Sequence, residues 1–449
     1  MKIVFYSTNS NEYRGQDFFT FTIKSAKDEW EDFLSLHPDF EIFIVTILPG
    51  SFLLDLENSS LREKCEKIKY IFLPPESSAD EIALEIKNLN ADKIIAATFY
   101  EKPYDWLGIK DAMVKEKLEG FGCKVFCNSL YSQVNSFDKF KSHIIFEKLN
   151  LPSPSYLYVH HTLFQVAGNR KDVKENVYKN YILHELSKMK YPLVIKDTVG
   201  LSSYSMEIAE NFSMARDYLN SRKFNSDRLF EEFIDGLNFG LEIHGLPGNY
   251  KVLDPFIFSV NRYGLTSPKQ SIKIGPVKNE DKFNLKELKR QALLLAEHMA
   301  FEGLSQIDLI FKNGKWYFIE INPRLSGMST SYAAAMGKNF YQMILESCEC
   351  GQEKNDLSKF VMNFKIPLQK KEKLLALSKN KYVKHLKQIE NLAHLQERDK
   401  GYCEIILGSF DSVGDLKKCF ENFVEESGSL VEDVFRKKAG ELFKILGCE

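Results

Sequence analysis

The sequence predicts a multidomain protein of mixed α/β and α+β class, on three observations. Short apolar strands alternate with segments of helical spacing over residues 1–130, and a β-hairpin pattern occupies residues 306–322. Patterns of a strand, a helix and a second strand follow one another over residues 402–434. Alternating strands and helices imply a parallel sheet, whereas a hairpin pairs its two strands in antiparallel fashion. At 449 residues the chain is long enough for roughly two to four domains.

The N-terminal strands are predicted at Lys2–Ser7, Glu41–Leu48, Ile68–Leu73 and Lys93–Thr98, with helical patterns between them. The polar turn Ser7–Glu12 follows the first strand, at the edge where open α/β sheets bind ligands. It contains no GxGxxG pattern, which argues against a dinucleotide site. Both a ligand contact and an ordinary loop fit this turn.

Two segments further along combine regular patterns with lysines. An amphipathic helix pattern over residues 138–149 carries Lys139 and Lys141, and a lysine in such a helix is ordinarily a solvated surface residue. An apolar strand ends in Lys196, and the small-residue loop 200–206 follows it. Such a loop can lay backbone N–H groups against phosphate oxygens, and the lysine adds a point charge that reaches them.

The hairpin at residues 306–322 carries polar side chains inside apolar strands. The runs Gln306–Phe311 and Trp316–Asn322 are rich in β-branched and aromatic residues, and Asp308, Glu320 and Asn322 interrupt them. Three oxygen-bearing side chains at one end of a buried hairpin are typical of a site for Mg²⁺ or Mn²⁺. The alternative is a hairpin edge with three solvated polar residues.

The register of this hairpin separates the two interpretations. A two-residue turn would pair Asp308 with Ile319 and place Glu320 on the opposite face. A three-residue turn from Asn313 to Lys315, with Gly314 at positive φ, would place Asp308 opposite Glu320 and Asn322 on the same face. The metal site therefore predicts the longer turn.

The sequence Glu320-Ile321-Asn322-Pro323-Arg324, with Asp308 twelve residues earlier, resembles the metal-binding signature of the ATP-grasp superfamily. The resemblance implies an ATP-grasp fold with an N-terminal parallel α/β domain over residues 1–130 and a central ATP-binding domain over residues 131–350. It implies a small lid subdomain at about 190–235 within the central domain, and a C-terminal α+β lobe over residues 351–449.

The resemblance also implies the roles of individual residues. Asp308, Glu320 and Asn322 would hold Mg²⁺ on the phosphates of ATP. A lysine would contact the α-phosphate, a strand lysine and its small-residue loop would cover the triphosphate, and a hinge would bind adenine through its backbone. The positions that match these nucleotide contacts are Lys139 (with Lys141 as the alternative), Lys196, Ser202, Ser203, Glu231, Glu232, Phe233, Ile234 and Asn238. Asn238 stands where the family has a ribose-binding acid, so ribose binding would lack charge assistance.

The order of segments over roughly residues 1–350 is similar to that of D-alanine–D-alanine ligases. Arg324 departs from those ligases and more resembles the broader carboxylate–amine ligases, in which this arginine faces the acyl phosphate. The resemblance therefore implies an ATP-dependent, ADP-forming carboxylate–amine ligase that joins amino acids, or a related acid and amine, through an acyl phosphate. Lys196, Arg324 and the backbone N–H groups around Ser326-Gly327 would stabilise its transition states. An ATP-grasp kinase and a non-catalytic nucleotide-binding regulator are the alternatives.

Composition and the remaining segments indicate the partners, the compartment and the C-terminal secondary structure that we expect. Lys+Arg 60 against Asp+Glu 62 gives no basic excess, which disfavours nucleic acid as a partner. No apolar run reaches about 18 residues, so no membrane helix is expected, and the first residues start as a strand and not as a signal peptide. The scattered cysteines favour a reduced, cytoplasmic protein. The expected partners are a small-molecule acid and amine, and the oligomeric state to be tested is a homodimer. In the C-terminal segment we predict a strand at Tyr402–Leu407, a helix at Val413–Phe423 and a strand at Ser429–Val434.

Overall fold

A computed structural model describes residues 1–8, 18–22, 24–47, 53–57, 60–61, 63–98, 107–166, 173–199, 206–260, 271–349, 357, 359–391 and 401–448. Within these ranges no helix is long and apolar enough to cross a membrane. The strands are β1 (Lys2–Ser7), β2 (Phe18–Thr22), β3 (Glu41–Thr46), β4 (Leu56–Glu57), β5 (Ser60–Leu61), β6 (Ile68–Phe72), β7 (Lys93–Ala96), β8 (Val125–Phe126), β9 (Tyr156–Val159), β10 (Leu193–Asp197), β11 (Glu207–Ala209), β12 (Arg228–Glu232), β13 (Leu237–Leu246), β14 (Asn249–Val252), β15 (Phe256–Phe258), β16 (Lys273–Gly275), β17 (Gly303–Lys312), β18 (Lys315–Asn322), β19 (Phe360–Ile366), β20 (Val383–Asn391) and β21 (Gly401–Phe410).

The helices are α1 (Ala26–Leu36), α2 (Ala79–Asn88), α3 (Leu107–Gly120), α4 (Leu130–Phe137), α5 (Lys139–Lys148), α6 (His161–Phe164), α7 (Val177–Lys188), α8 (Phe212–Leu219), α9 (Glu280–Phe283), α10 (Leu285–Met299), α11 (Ser329–Met336), α12 (Phe340–Ser347), α13 (Lys371–Ser378), α14 (Val413–Ser427) and α15 (Asp433–Ile445). Local sequence fixes several of their first turns. Ser78 and Glu81, for example, form a reciprocal capping box at the start of α2.

The N-terminal strands form the predicted parallel sheet, in the order β6-β3-β1-β7-β8. Strand β1 pairs in parallel with β3 and with β7, and both of its faces are buried. Ile3 and Phe5 pack into one core cluster, whereas Val4 and Tyr6 pack into another. Burial on two faces explains the continuous apolar run of this strand.

The middle of the chain contributes a four-stranded sheet and half of a twelve-stranded sheet. The smaller sheet has the antiparallel order β11-β10-β12-β9. The larger sheet runs β18-β17-β13-β15-β16-β19-β21-β20-β2-β4-β5, with β14 paired to β13. The C-terminal strands β19, β20 and β21 therefore continue the sheet that begins with the predicted metal hairpin, because β16 pairs directly with β19.

The hairpin of β17 and β18 has the predicted pairing but not the predicted turn. Asp308 pairs with Glu320, whereas Lys312 pairs with Lys315 across a two-residue turn. Asn313 and Gly314 both have positive φ, 50° and 75°, as tight hairpin turns require. The register shifts between Asp308 and Leu309, since Leu309 pairs with Phe318 and Ile319 is an extra residue in β18. The three-residue turn was thus wrong, and a β-bulge supplies the missing register step instead.

The C-terminal prediction is partly wrong as well. The strand and the helix expected at Tyr402–Leu407 and Val413–Phe423 are present as β21 and α14. The strand expected at Ser429–Val434 is absent, because Gly428–Leu430 is a 3₁₀ turn and α15 begins at Asp433. The helix forms because its apolar residues recur at helical spacing, which places Ala439, Leu442 and Phe443 in the core.

Candidate active site

The large sheet has an apolar face and a polar face where the hairpin lies. Ile307, Leu309 and Ile321 point into the largest core cluster of the protein. Side chains alternate between the two faces of a strand, so Asp308 and its partner Glu320 lie on the other face. We call that surface of the sheet the site face.

A chain of hydrogen bonds links the polar residues of the hairpin. Gln306 Nε2 donates to Asp308 Oδ1 at 2.6 Å, and Asn322 Nδ2 donates to Gln306 Oε1 at 3.1 Å. Arg324 Nη2 donates to Asn322 Oδ1 at 2.9 Å. Asp308, Asn322 and Arg324 are therefore brought together as expected, and Gln306 joins them. Sequence analysis missed Gln306, although it lies two residues before Asp308 and so shares its face.

The two acids of the hairpin are suited to a divalent cation. Burial, together with the nearby negative charge of Glu320, raises the pKa of Asp308 to about 6. The described residues contain no group of three or more His, Cys, Asp and Glu side chains that could hold a metal. Mg²⁺, however, is usually held by one or two carboxylates and by the phosphates of a substrate. Asp308 and Glu320, with the Asn322 amide oxygen beside them, fit that requirement.

Lys139 lies next to the acid pair. It is the first residue of α5, and its Nζ lies 3.2 Å from Glu320 Oε1. Its backbone N–H donates to Thr198 O at 2.7 Å, one residue beyond the strand that carries Lys196. Lys139, and not the alternative Lys141, is thus the lysine placed between the hairpin and the segment leading into the predicted phosphate loop.

Lys196 is held by a buried ion pair. Its Nζ lies 2.5 Å from Glu231 Oε2 on the adjacent strand β12, and His143 Nε2 lies 3.0 Å from the other oxygen, Glu231 Oε1. Burial on its own would raise the pKa of Glu231, but the charge of Lys196 and the hydrogen bond from His143 lower it to about 2. The Glu231 side chain therefore orients Lys196, the predicted phosphate-binding residue. Sequence analysis did not predict this contact.

The predicted adenine hinge follows this ion pair. The Glu232 N–H donates to Ser155 O at 2.9 Å and the Phe233 N–H donates to Pro192 O at 3.0 Å. Both N–H groups are thus used within the fold and do not face adenine in this structure. Asn238, in the ribose position, donates from Nδ2 to Gly236 O at 3.3 Å. The predicted phosphate-loop residues Ser202 and Ser203 lie outside the described residues.

Two buried amide side chains hold the segment that carries Arg324. Asn128 Nδ2 and Gln133 Nε2 both donate to Pro323 O, each at 2.9 Å. They come from the segment between β8 and α5, so they connect the residues that follow the hairpin to the end of the N-terminal parallel sheet. Sequence analysis missed both, because their partner is a backbone carbonyl nearly two hundred residues away.

Ser326 has a structural function in the loop after Arg324. Its Oγ donates to Glu242 Oε1 at 3.0 Å, and its N–H donates to Ser329 Oγ at 3.1 Å. The expectation that the Ser326 N–H stabilises an oxyanion therefore has to be corrected, since that donor is already engaged. A Cβ on Gly327 would lie 4.0 Å from Lys273 Nζ, so this lysine, absent from the predictions, approaches the same loop.

Comparisons with known proteins agree with this architecture. Residues 137–328 match the family model of the ATP-grasp domain. The chain is 24% identical to carbamoyl-phosphate synthase of Methanobrevibacter smithii over 274 residues, which cover 60% of this chain and 66% of that protein. It is 25% identical to D-alanine–D-alanine ligase of Buchnera aphidicola over 249 residues, which cover 53% of this chain and 77% of that protein.

Solved structures resemble the whole chain. L-amino acid ligase from Bacillus licheniformis superposes with a TM-score of 0.62 at 18% identity, covering 95% of this chain and 96% of that one. N5-carboxyaminoimidazole ribonucleotide synthetase from Thermus thermophilus also gives 0.62, at 12% identity, covering 96% and 98%. At these identities the likeness establishes the fold. The chain has the ATP-grasp fold, and residues 137–328 are the part that matches the ATP-grasp domain.

Proposed function

We propose that this chain, whose residues 137–328 match the ATP-grasp domain, is an ATP-dependent, ADP-forming ligase that joins a carboxylate to an amine. ATP and Mg²⁺ are its cofactors, and amino acids are the acids and amines we favour. Similarity to a D-alanine–D-alanine ligase and to an L-amino acid ligase supports that substrate class. The alignment covers 66% of the carbamoyl-phosphate synthase, so the activity of that relative is a weaker guide to the function of this chain.

The observation that carries the proposal is the Asp308–Glu320 pair with Arg324 beside it. The register of the hairpin sets the two acids opposite each other, and Asn322 connects Arg324 to the same face. Two like charges held opposite each other at a half-buried position repel each other, and a cation bound by both offsets that repulsion. A hairpin that keeps them there, next to an arginine and Lys139, is suited to phosphate chemistry.

The reaction explains why these residues are needed. A carboxylate does not react with an amine near neutral pH, because an oxide is too poor a leaving group. Transfer of the γ-phosphoryl group of ATP to the carboxylate gives an acyl phosphate and ADP. The amine then attacks the acyl carbon and loses a proton, the C–O bond breaks, and phosphate leaves.

Each side chain has a proposed part in these steps. Asp308, Glu320 and Asn322 would hold Mg²⁺, which neutralises charge on the phosphate oxygens when it is bound. Lys139 and Lys196 would bind the phosphates as point charges, with Ser202 and Ser203 closing over them. Arg324, with Gly327, would stabilise the oxyanion that forms at the acyl carbon.

A hydroxylamine trap tests this function. The protein is incubated with ATP, Mg²⁺ and single amino acids in the presence of hydroxylamine, which attacks an acyl phosphate in place of the natural amine. We expect a hydroxamate together with equal amounts of ADP and free phosphate. Arg324→Ala should lose hydroxamate formation far more than nucleotide binding, because its charge acts mainly in the transition state.

The other outcomes identify the alternatives. Pyrophosphate in place of phosphate would overturn the ADP-forming mechanism. A phosphorylated product without free phosphate would show the kinase, and ATP binding without any turnover across the amino-acid panel would show the regulator. If Arg324→Ala bound ATP poorly but reacted normally at saturation, the oxyanion role would belong elsewhere.

We also propose that the protein works in the cytoplasm and pairs as a homodimer. The cysteines at positions 65, 123, 127, 348, 403, 419 and 448 are free thiols, which suits a reducing compartment. Light scattering across a concentration series measures the oligomeric state, and a constant monomer mass would refute the dimer.

A further inference from the structure

The peptide bond between Pro323 and Arg324 is held at both of its polar groups. The Pro323 carbonyl accepts from Asn128 Nδ2 and from Gln133 Nε2, each at 2.9 Å. The Arg324 N–H, on the other side of the bond, donates to Asn322 O at 2.8 Å. Because a peptide unit is planar and rigid, these three hydrogen bonds fix the orientation of the whole unit.

Asn128 also connects this peptide bond to the other strand of the hairpin. Its Nδ2 donates to Leu304 O on β17 at 3.1 Å. Its Oδ1 accepts from the Glu302 N–H, just before that strand, at 3.0 Å. Pro323 follows β18 and has no N–H that could continue the pairing to β17. The Asn128 amide therefore provides the link between the beginning of β17 and the residue after β18.

The two amides are directed at the backbone. Asn128 and Gln133 are only 3% and 5% exposed, and the N–H groups of both side chains point at carbonyls of the chain. Any effect of these N–H groups on the reaction is therefore exerted through the segment that they hold.

The guanidinium of Arg324 depends on the position of that segment. Its Nη2 donates to Asn322 Oδ1 at 2.9 Å, and its Nη1 donates to Leu325 O at 3.1 Å. Both acceptors belong to residues that flank Arg324 in the chain. A rotation of the peptide unit would consequently move the arginine charge relative to the site face.

A cavity beside this segment gives it room to move. The cavity has a volume of about 30 Å³, and the residues that line it include Asn128, Gln133, Pro323, Arg324 and Leu325. In a close-packed interior the neighbouring side chains would hold a backbone segment in place. Next to a cavity the hydrogen bonds matter more, because the loss of one leaves space into which the Pro323 carbonyl can turn.

We propose that Asn128 and Gln133 are positioning residues for acyl transfer, because they set the direction in which Arg324 presents its guanidinium to the acyl phosphate. The inference rests on the ligase function above and gives the segment between β8 and α5 a part in that function. The end of the N-terminal parallel sheet thereby determines how well the oxyanion is stabilised, since a displacement of about 1 Å can remove much of the effect of a catalytic group.

Gln133→Met tests the hydrogen bond with the least disturbance of packing. Methionine is close to glutamine in length and volume but has no N–H to donate. In the hydroxylamine trap we expect kcat to fall roughly tenfold, whereas the KM for ATP should not change. Asn135→Ala removes a hydrogen bond from Asn135 Nδ2 to Tyr131 O on the same helix. It is the matched control and should behave as the wild type.

A double-mutant cycle with Arg324→Ala shows whether Gln133 acts through the arginine. If it does, Gln133→Met lowers kcat in the wild-type background but has no further effect once Arg324 is replaced. A purely structural role would reduce activity by the same factor in both backgrounds. That result, or a wild-type kcat in Gln133→Met, would overturn the inference. Asn128→Leu breaks the contacts with both β17 and Pro323 and should also lower the Tm, so Gln133→Met is the decisive variant.

Hydrogen exchange keeps the test independent of turnover. The Arg324 N–H should exchange faster in Gln133→Met than in the wild type or in Asn135→Ala, because its peptide unit is held less firmly. If no amino acid supports phosphate release but this exchange is faster, the ligase function fails and the hold of Gln133 on the Arg324 peptide unit stands. If phosphate is released while kcat and exchange both match the wild type, the positioning role fails and the ligase function stands.

Discussion

Lys196 is the residue whose environment most constrains its role. Its ammonium is paired with Glu231 at 2.5 Å, and both side chains are buried. Glu231 in turn is held by His143, so the lysine is fixed in position before any nucleotide arrives. Preorganised charges of this kind bind phosphate without the entropy cost of ordering a flexible side chain.

Removing this lysine should affect both ATP binding and stability. Lys196→Ala leaves Glu231 buried without its cation, so we expect a loss of roughly 3 to 5 kcal/mol in the free energy of unfolding and weaker ATP binding. Lys196→Arg should not restore the affinity, because a planar guanidinium does not match a site built for a compact ammonium. Nucleotide titration and chemical denaturation measure the two effects. Lys188→Ala, at an exposed pair on α7, is the control, and unchanged affinity in Lys196→Ala would refute the phosphate role.

Substitutions of Asp308 and Glu320 should abolish function without a large loss of stability, in contrast to Lys196→Ala. Each acid repels the other, and burial raises the pKa of Asp308 to about 6. Asp308→Asn removes that repulsion and should not lower the Tm, whereas Glu320→Gln also loses the ion pair with Lys139 and should lower the Tm slightly. Each variant removes an anionic Mg²⁺ ligand and should abolish Mg²⁺-dependent turnover. Gln306→Leu, which breaks the link between Asp308 and Asn322, should reduce turnover less. Near-wild-type activity in either acid variant would show that the metal site is misplaced.

At the level of elements, the hairpin shows what a sequence pattern can and cannot predict. The pairing of Asp308 with Glu320 was expected from the chemistry, and the structure has it. The turn length was wrong, because an extra residue can be accommodated in a strand as well as in a turn. Ile319 is apolar like its neighbours, so no change of pattern marks the bulge.

The turn of this hairpin carries its own prediction. Gly314 has φ of 75°, a conformation that costs a residue with a Cβ about 1 to 2 kcal/mol. Gly314→Val should therefore lower the free energy of unfolding by about that amount, while the kcat of the folded protein stays unchanged because the turn lies at the far end of the hairpin. Asn313→Gly, at φ of 50°, is the matched control and should be neutral or stabilising. Equal stability of Gly314→Val and the wild type would contradict the positive-φ turn.

Contacts between elements account for most of what the sequence did not predict. The parallel sheet and the hairpin follow from local periodicity, whereas the ATP-grasp fold was implied by the resemblance to that superfamily. Asn128 and Gln133, in contrast, donate to the Pro323 carbonyl, and a local pattern holds no information about a partner so distant in sequence. The prediction of a strand at Ser429–Val434 was wrong for another reason. A short apolar run fits a strand or a helix start equally well, and packing of α15 on the core decided it.

At the scale of the whole molecule, the predicted boundary near residue 350 does not separate two sheets. Strand β19 pairs with β16, and the C-terminal strands continue the sheet of the hairpin. The largest core cluster likewise contains Trp316 and Phe318 from the hairpin together with Phe364, Phe420 and Phe443 from the C-terminal segment. Hydrophobic burial is therefore shared across the boundary, and neither side has a complete core on its own.

A chain ending at residue 350 should consequently fail to fold as a cooperative unit. Truncation removes the partner strand of β16 and exposes apolar residues that the C-terminal segment covers, among them Ile274, which pairs opposite Met362. We expect the truncated chain to aggregate or to melt without a cooperative transition, whereas the full chain should lose the hairpin and the C-terminal strands in one transition. Thermal unfolding followed by circular dichroism, with hydrogen exchange of β17 and β20, measures this. If the truncated chain melts cooperatively and still binds ATP with the affinity of the full chain, the C-terminal segment is an independent domain, and its strands contribute nothing to the stability of the ATP site.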